Sequence, residues 1–322
     1  MSLFTIISSL SILFVSELLY FKIADRYNII DKPNHRSSHT KITIRGGGII
    51  FPFALLTYSL YGKINYPYFL LGLLLISLIS FIDDTKELSS KVRILFHLIA
   101  VALMFYQVNM FMLPAYWVLL ALIFVIGTIN AINFMDGING ITGAYGLVAL
   151  ATLYYINFFT IQFTSADLLL IAILAVLVFN FFNFRTKAKC FAGDVGSVSV
   201  AFIIIFFILQ LIIKTGNPSY FVLLLLYGLD AVTTILFRLI RKENIFKAHR
   251  SHLYQHLANE RKIPHLLVAS LYAIIQVIIN FILIAFISGS VFHLALSVAI
   301  TTMVFIAVRF FLEGPDKLTR LV

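Results

Sequence analysis

The chain has 322 residues, of which 61% are hydrophobic and 12% charged, and its mean hydropathy is +1.00. A soluble domain carries roughly 25% charged residues, so this composition excludes an ordinary soluble fold and favours a protein that crosses a membrane many times. The single cysteine, Cys190, excludes an intrachain disulfide and a metal site built from several cysteines.

Apolar runs long enough to cross about 30 Å of hydrocarbon alternate with short polar segments along the chain. The pattern contains no internal repeat and no second soluble domain, so we predict one all-α, polytopic membrane domain over residues 1–322. The first run lacks a basic segment before it and a cleavage site after it, which favours a membrane span over a signal peptide. The predicted spans, about eleven, are 3–22, 46–62, 66–82, 93–111, 115–132, 141–159, 167–184, 196–213, 219–239, 265–286 and 290–311.

The distribution of basic residues predicts the orientation of these spans. With the N-terminus outside, five loops and the C-terminal tail lie inside and hold 22 of the 24 Lys and Arg residues, leaving Lys63 and Lys214 on the other face. The positive-inside rule therefore places the N-terminus outside and the loops and C-terminus in the cytoplasm. The net charge of +10 is then an orientation signal that also attracts anionic lipids. No motif supports nucleic-acid binding. The inner loops lie at about 22–45, 83–93, 128–140, 185–195 and 238–264.

The first two inner loops combine cations with paired carboxylates. His39 and Arg45 precede three glycines in the first loop, although a triple glycine alone is weak evidence for a ligand site. In the second loop, FIDDTKELSSKVR, Asp83 and Asp84 are adjacent, and neighbouring carboxylates raise one another's pKa, which suits a base or a metal-linked site. Alternatively, Asp84 caps the next helix, or one of the two serines does. The cations of this loop are Lys86, Lys91 and Arg93.

The third inner loop, TINAINFMDGING, is rich in oxygen ligands. Asn130, Asn133 and Asp136 are spaced three apart, so they share one helix face, and two glycines then break the helix. Neutral amide oxygens with one carboxylate suit a hard cation such as Mg²⁺. A glycine-capped helix end would explain Asn139 and Gly140 without any ligand.

The fourth loop, CFAGDVGSVSVAF, places Asp194 between two glycines just before a long helix. Asp194 either caps that helix or holds a cation while the helix N-terminus attracts phosphates. In the fifth loop, FKAHRSHLYQHLANERK, Arg250 and His252 can clamp a diphosphate. His252 and His256 are also spaced for zinc, but the loop has no HExxH pattern and no third ligand.

Carboxylates from several loops therefore converge on one membrane surface, as in an enzyme active site at the cytoplasmic interface. A cap or an orientation signal explains any one loop, but four together favour a functional site. An ion-coupled transporter using Asp84, Asp136, Asp194 and Asp230 is the alternative, although transporter sites lie near the bilayer midplane and only Asp230 is deep in a span. A scaffold without activity would not explain the set of acidic motifs.

These motifs resemble those of the polyprenyl-phosphate N-acetylhexosamine-1-phosphate transferases, of glycosyl transferase family 4. The matching segments, in order, are HTKITIRGGGI, FIDDTKELSSKVR, NAINFMDGING, FAGDVGS, LDAVTTILFRLIRK and HRSHLYQ. The resemblance implies transfer of a sugar-1-phosphate from a UDP-HexNAc to undecaprenyl phosphate, with release of UMP. It also implies Mg²⁺, with Mn²⁺ as a substitute, and a bacterial inner membrane whose lipids surround the protein.

The resemblance assigns roles to individual residues. Asn133 and Asp194 would hold the metal, Asp136 and Asn139 would lie around the nucleotide and sugar, and Asp83 would be the base toward the lipid phosphate. The implied catalytic residues are Asp83, Asp84 and Asp194, and the implied substrate-binding residues are His39, Arg45, Lys91, Arg93, Asp136, Asn139, Arg250 and His252.

One segment departs from the family pattern. Where many members have Asp-Arg-Asn-His-Leu-His-His, this chain has HRSHLYQ, ending in Tyr254 and Gln255. The segment is most similar to the branch that initiates O-antigen or capsule repeats, which leaves GlcNAc and modified 6-deoxy HexNAc donors open. Asp230 is expected either to orient Arg238 or Arg241, two to three turns further along its helix, or to reach bound water near the metal. The oligomeric state stays open, with a homodimer as one candidate.

Overall fold

The computed structural model describes residues 1–33, 38, 41–61, 64–245, 249–287 and 291–320. Short 3-10 turns precede α2, follow α4 and precede α9, and one π-helical turn, His256–Glu260, follows α10. The strands are β1 (Ile30–Asp31) and β2 (Thr43–Ile44), which pair antiparallel. The helices are α1 (Leu3–Arg26), α2 (Ile50–Tyr61), α3 (Pro67–Thr85), α4 (Ser90–Gln107), α5 (Ala115–Met135), α6 (Ile141–Phe159), α7 (Ala166–Asn183), α8 (Gly193–Thr215), α9 (Leu225–Ile240), α10 (Leu253–Gln255), α11 (His265–Ile287), α12 (Val291–Glu313) and α13 (Pro315–Thr319).

Among the described residues, ten helical segments are long and apolar enough to cross a membrane, which confirms the all-α, multi-pass prediction. The exception is the predicted span 46–62. Its helix, α2, has 12 residues, which corresponds to about 18 Å at 1.5 Å per residue. The chain begins this segment with a 3-10 turn, Gly47–Ile49, in which Gly47 is buried against Cys190 and Gly48 against Gly196 near the start of α8. The helix therefore begins inside the protein, and the span is shorter than its hydropathy suggested.

Helix α8 is the centre of the bundle. It is apolar on every face and almost entirely buried, with α2, α3, α5 and α6 packed around it. Aromatic stacking fixes its contact with α3, since the rings of Phe69 and Phe206 lie 3.7 Å apart and nearly parallel. This packing places the N-terminus of α8 in the middle of one end of the bundle.

The predicted inner loops meet at that same end. Asn139 Nδ2, before α6, donates to the carbonyl of Arg185, after α7, at 2.9 Å. Tyr254 Oη, in α10, donates to the carbonyl of Phe134 in α5, also at 2.9 Å. At the opposite end, the amino group of Met1 lies 2.6 Å from Asp167 Oδ1 at the start of α7.

The ninth span contains a break that a side chain fills. The 3-10 turn Pro218–Leu224 gives way to α9, and the buried amide of Gln276 in α11 satisfies the backbone at the junction. Its Nε2 donates to Leu223 O at 3.0 Å and its Oε1 accepts from Leu226 N at 2.9 Å. Transporters use helix breaks to line a substrate cavity. In this protein Gln276 binds the free backbone groups at the break, so they are not available to a substrate and the break does not support the transporter alternative.

Candidate active site

The N-terminus of α8 is capped by a residue from another helix. Asp84, near the end of α3, accepts hydrogen bonds from the backbone N–H groups of Asp194 at 2.8 Å and Val195 at 3.0 Å. The first N–H groups of a helix have no hydrogen-bond acceptor within the helix, and the Asp84 carboxylate is the acceptor for two of these groups in α8. Of the candidates for the cap of α4, the serine is confirmed and Asp84 is not, because Ser89 Oγ accepts from Val92 N at 3.4 Å.

Glycines permit this close approach. Gly193 has φ +70°, and a Cβ there would lie 2.5 Å from Asp84 Oδ2 and 2.9 Å from Gly46 Cα. Gly48 packs with its backbone directly against that of Gly196, so a side chain on either residue would clash. The triple glycine therefore serves backbone packing between the first loop and α8, as small residues do between membrane helices.

Asp194 is not the cap of its own helix, so its carboxylate is free to face outward. The N-cap position is Ala192, and two N–H groups at this terminus are already bound by Asp84, which corrects the expectation of an open phosphate-binding terminus. Asp194 Oδ1 lies 3.6 Å from Arg45 Nη2, and its Oδ2 lies 3.7 Å from Arg93 Nη1. It is 23% exposed, whereas Asp84 is 0% and Asp83 is 9% exposed, so Asp194 is the best placed of the three to contact a ligand.

The other aspartate of the pair, Asp83, is bound on both oxygens. Its Oδ1 accepts from Leu88 N at 2.7 Å, which closes the turn between α3 and α4. Its Oδ2 accepts from Arg93 Nη1 at 2.9 Å. Arg93 thus lies between Asp83 and Asp194 and is positioned to exchange one of these contacts for a substrate anion.

Arg45 has the corresponding position on the other side of Asp194. Its Nε is 2.7 Å from Asp84 Oδ1, and its carbonyl accepts from Tyr20 Oη at 2.6 Å. Burial opposes the guanidinium charge, but the carboxylates of Asp84, Asp194 and Asp31 more than offset it and raise the pKa of Arg45. Arg45 therefore remains a cation, with Asp84 holding it in place.

A polar cavity of about 320 Å³ opens beside these residues. Asn133 Oδ1 accepts from Ser197 Oγ at 2.6 Å, which fixes the amide and leaves its oxygen a second lone pair. Asp136 Oδ1 accepts from Thr142 Oγ1 at 2.6 Å. The cavity is lined by Asp31, Ser38, Arg45, Asn133, Asp136, Gly137, Ile138, Asn139, Asn183, Phe191, Gly193, Asp194, Gln255 and His265.

The ionisation of Asp136 depends on its surroundings. Burial raises the pKa of Asp136 to about 6, the hydrogen bond from Thr142 opposes that rise, and the negative charge of Asp84 adds to it. Asp136 therefore changes its charge just below neutral pH. It is the one carboxylate of the α5–α6 loop in the cavity.

Two asparagines of that loop have structural contacts. Asn130 Nδ2 donates to the carbonyl of Ile126 in its own helix at 3.0 Å, so Asn130 does not join Asn133 at the cavity. The expected inward trio is therefore a pair, Asn133 and Asp136. Asn139 lines the cavity, but its amide is bound to the Arg185 and Thr186 carbonyls at 2.9 and 3.3 Å.

The fifth loop reaches the cavity through a residue that sequence reasoning did not select. Among the described residues, Gln255 lines the cavity, whereas Arg250 and His252 do not. His252 is buried, with Nδ1 3.5 Å from Asp230 Oδ1, and Arg250 is partly exposed. Burial, helped by the charges of His252 and Arg238, lowers the pKa of His249 to about 4, so His249 stays neutral near pH 7.

Three further predictions concern Lys91, His39 and a zinc site at His252 and His256. Lys91 is exposed in the first turn of α4. His39 lies outside the described residues. The zinc alternative is not supported, because His256 Nε2 lies 3.1 Å from the carbonyl of Leu312 and its Nδ1 2.9 Å from Lys317 Nζ, away from His252.

Asp230 repeats the contact made by Asp84. Its carboxylate accepts from Leu253 N at 2.9 Å and Tyr254 N at 3.3 Å, the first N–H groups of α10, and from Tyr272 Oη at 2.7 Å. The expectation that Asp230 orients Arg238 or Arg241 is wrong. Those arginines turn away, and their Nε atoms lie 2.9 and 2.6 Å from the carboxylate of Glu243.

The donor set suits a hard divalent cation held by few protein ligands. Asp194 and Asn133 offer oxygens to one polar cavity, and Mg²⁺ favours such ligands together with water and phosphate oxygens. Within the described ranges, no group of three or more His, Cys, Asp or Glu side chains could hold a metal ion. A cation bound here would therefore take most of its ligands from a phosphate substrate and water.

Sequence reasoning missed the residues that hold the loops. Tyr254 was noted only as a departure from the family pattern, and Arg309 was given no role, although an arginine within an apolar span is a signal in itself. Arg309 is 1% exposed and forms an i, i+4 pair with Glu313, with Nε 2.6 Å from Oε2. That spacing within a span would have been the signal to find it.

The fold and the site define a multi-pass membrane protein with a polar cavity, lined by Arg45 and three aspartates, where its loops meet at one end. Residues 66–212, which run from the start of α3 to near the end of α8, match glycosyl transferase family 4, and the predicted resemblance is thereby confirmed. That segment carries the Asp83–Asp84 pair, Asn133 and Asp194.

The chain is also similar to a protein of Bacillus subtilis (strain 168) named a probable undecaprenyl-phosphate N-acetylglucosaminyl 1-phosphate transferase. The two are 25% identical over 273 residues, which cover 78% of this chain and 75% of that protein.

Proposed function

We propose that this protein transfers a HexNAc-1-phosphate from a UDP-sugar to undecaprenyl phosphate and releases UMP. The observation that carries the proposal is the position of Asp194 between Arg45 and Arg93 at the mouth of a polar cavity lined by Asn133 and Asp136. Two arginines and a partly exposed carboxylate suit a diphosphate and its cation. The name of the Bacillus subtilis relative supports the same lipid acceptor.

The reaction is a displacement at phosphorus. An oxygen of the lipid phosphate forms a bond to the phosphorus that carries the sugar, and the bond from that phosphorus to the UMP oxygen breaks. Such reactions depend mainly on alignment and charge neutralisation. Arg45 and Arg93 would bind substrate oxygens, and Asp84 would keep Arg45 aligned through the 2.7 Å contact between Asp84 Oδ1 and Arg45 Nε.

Asp83 is proposed as the base toward the lipid phosphate. An arriving phosphate would compete for Arg93 and so release Asp83 Oδ2 from its 2.9 Å hydrogen bond. Asp136 and Asn139 are proposed to contact the nucleotide and sugar, and Lys91, Arg250, His252 and His39 to attract the two anionic substrates. Asp194 and Asn133 would hold Mg²⁺ or Mn²⁺, which when bound neutralises charge on the diphosphate.

The placement in the cell follows from the same proposal. The site is on the cytoplasmic face of a bacterial inner membrane, because the loops that form it carry most of the basic residues. The product starts a surface polysaccharide of the O-antigen, capsule or teichoic-acid type, with GlcNAc or a modified 6-deoxy HexNAc as the first sugar.

The test is an assay of the purified protein with undecaprenyl phosphate, Mg²⁺ and a panel of UDP-HexNAc donors. We expect UMP release that requires the lipid phosphate and the metal, and the preferred donor identifies the first sugar. A proton- or sodium-coupled flux in vesicles, without UMP release from any donor, would establish the transporter alternative instead.

A further inference from the structure

The last membrane helix, α12, contacts the bundle through a buried ion cluster at one end. Arg309 of α12 is 1% exposed, and its Nη1 donates to the hydroxyls of Thr233 and Thr234 at 2.8 and 2.9 Å. Its Nη2 donates to the carbonyl of Ser251 at 2.9 Å. The rest of α12 is largely exposed to its surroundings. Arg309 thus joins α12 to both α9 and the fifth loop.

The charge of Arg309 is balanced by two carboxylates. Arg309 Nε and Nη2 lie 2.6 and 3.1 Å from the two oxygens of Glu313, and Nη1 lies 4.0 Å from Asp230 Oδ1. A carboxylate buried as completely as Asp230 requires a nearby cation and hydrogen-bond donors. Arg309 supplies a permanent cation 4.0 Å away, and His252 Nδ1 lies 3.5 Å from the same oxygen. The donors are Leu253 N, Tyr254 N and Tyr272 Oη.

The segment held in this way contributes to the cavity at two points. Gln255 follows directly and lines the cavity. Tyr254 Oη donates to the carbonyl of Phe134, and Gly137 leaves room for the Tyr254 ring, so Tyr254 fixes the C-terminal end of α5, which carries Asn133 and Asp136.

We propose that Arg309 is a positioning residue for the active site. By binding the Ser251 carbonyl and contributing to the charge balance of Asp230, it fixes residues 251–255 and, through Tyr254, the end of α5 that carries Asn133 and Asp136. The inference rests on the proposed function. It assigns α12, which lies outside the family match of residues 66–212, a part in shaping the cavity.

The test uses Arg309→Met in the full-length protein, with Arg320→Met, an exposed arginine of the same C-terminal region, as the matched control. Backbone amide hydrogen exchange is followed in residues 249–256 and in residues 193–200, where Asp84 makes the equivalent contact. We expect exchange in 249–256 to rise about tenfold or more, with 193–200 unchanged. The control should match the wild type in both segments.

Activity is measured per folded molecule, so that a loss of stable protein is not mistaken for a loss of catalysis. We expect kcat/KM for the UDP-sugar to fall about tenfold or more in Arg309→Met. Arg309→Lys keeps the charge but not the branched guanidinium, so it should be intermediate in exchange and in activity. If the methionine variant does not fold, Arg309→Lys carries the test alone.

Unchanged exchange in residues 249–256 would overturn the inference. Faster exchange with kcat/KM within about twofold of the wild type would also overturn it, because the ordered loop would then not matter for the reaction. Failure of the proposed function is seen separately, as an absence of lipid-dependent UMP release from the wild-type protein.

Discussion

At the scale of single residues, three aspartates that meet in space differ in what they can contact. Asp84 is fully buried and bound to two N–H groups and to Arg45, which is the environment of a positioning residue. Asp83 is bound to Leu88 N and Arg93. Only Asp194 of the three combines a partly exposed carboxylate with contacts to both arginines. The sequence places all three at span ends and gives no means of ranking them.

We predict that Asp194→Ala and Asn133→Ala each lower turnover by about a hundredfold or more, because each removes an oxygen ligand from a site with few. UMP release is measured at ordinary and raised Mg²⁺, and partial recovery at high Mg²⁺ would support a metal role. Asp25→Ala, at an exposed aspartate of α1, is the control. Wild-type rates in either variant at ordinary Mg²⁺ would refute the assignment.

Asp136 leads to a pH prediction. Its pKa of about 6 means that it is mostly ionised at pH 7 and becomes neutral as the pH falls. If the ionised carboxylate accepts hydrogen bonds from the donor substrate, kcat/KM should fall as the pH drops through about 6. In Asp136→Asn the activity is lower at neutral pH, and the step near pH 6 should vanish. Its persistence in that variant would assign the titration to another group.

At the scale of elements, two helices begin on a carboxylate supplied by a different helix. Asp84 holds the start of α8, and Asp230 holds the start of α10. Each contact fixes one loop at the cavity and uses N–H groups that would otherwise need water or a ligand. The same chemistry therefore orders both sides of the site.

A substitution at Gly193 tests the contact between Asp84 and the start of α8. We expect Gly193→Ala to lose most activity, because a Cβ at φ +70° costs about 1–2 kcal/mol and would also lie 2.5 Å from Asp84 Oδ2. Turnover and thermal unfolding in detergent are the measurements. Gly127→Ala in α5 is the control, since no atom lies within 4 Å of the added Cβ. Equal activity in the two variants would show that Asp84 can move without consequence.

At the scale of the whole molecule, the loops that form the site require one common side of the membrane. We predict that a reporter fused after residue 215 lies outside, and reporters fused after residues 188 and 250 lie inside, because the inner loops carry most Lys and Arg. Protease accessibility in sealed vesicles gives the readout. If only one of the reporters after residues 188 and 250 lies outside, the loops cannot meet and the proposed site is wrong. If all three reporters lie on the opposite side from the one expected, only the orientation is wrong.

Hydropathy predicts the long helices, and the distribution of Lys and Arg predicts that their loops lie on the same side of the membrane. Both predictions work because they depend only on whether a segment faces lipid or water. The partners of Asp84 and Asp230 could not be predicted in this way. Helix spacing suggested Arg238 and Arg241 for Asp230, yet these arginines bind Glu243 while Asp230 faces α10. The direction of a buried carboxylate depends on which distant N–H groups approach it, and periodicity carries no information about that.

Two other predictions failed because sequence periodicity does not show tertiary contacts: the length of the second span and the direction of the Asn130 side chain. An apolar run of 17 residues was expected to cross the membrane, but packing of Gly48 on Gly196 starts the segment inside the protein. Asn130 shares a helix face with Asn133 by spacing, and it instead binds the carbonyl of Ile126. In both cases a tertiary contact or a local hydrogen bond decided a detail that the pattern left open.

The bond between Asp84 and the start of α8 also constrains how the protein is made. Asp84 leaves the ribosome 110 residues before Asp194, whose N–H group it will bind. Throughout that interval its carboxylate has no α8 to cap, whereas Arg45, 2.7 Å from Asp84 Oδ1 in the finished protein, is already part of the chain. The ion pair with Arg45 can therefore form before the contact with α8, and the two ends of the family-matched region are joined only after the start of α8 has been made.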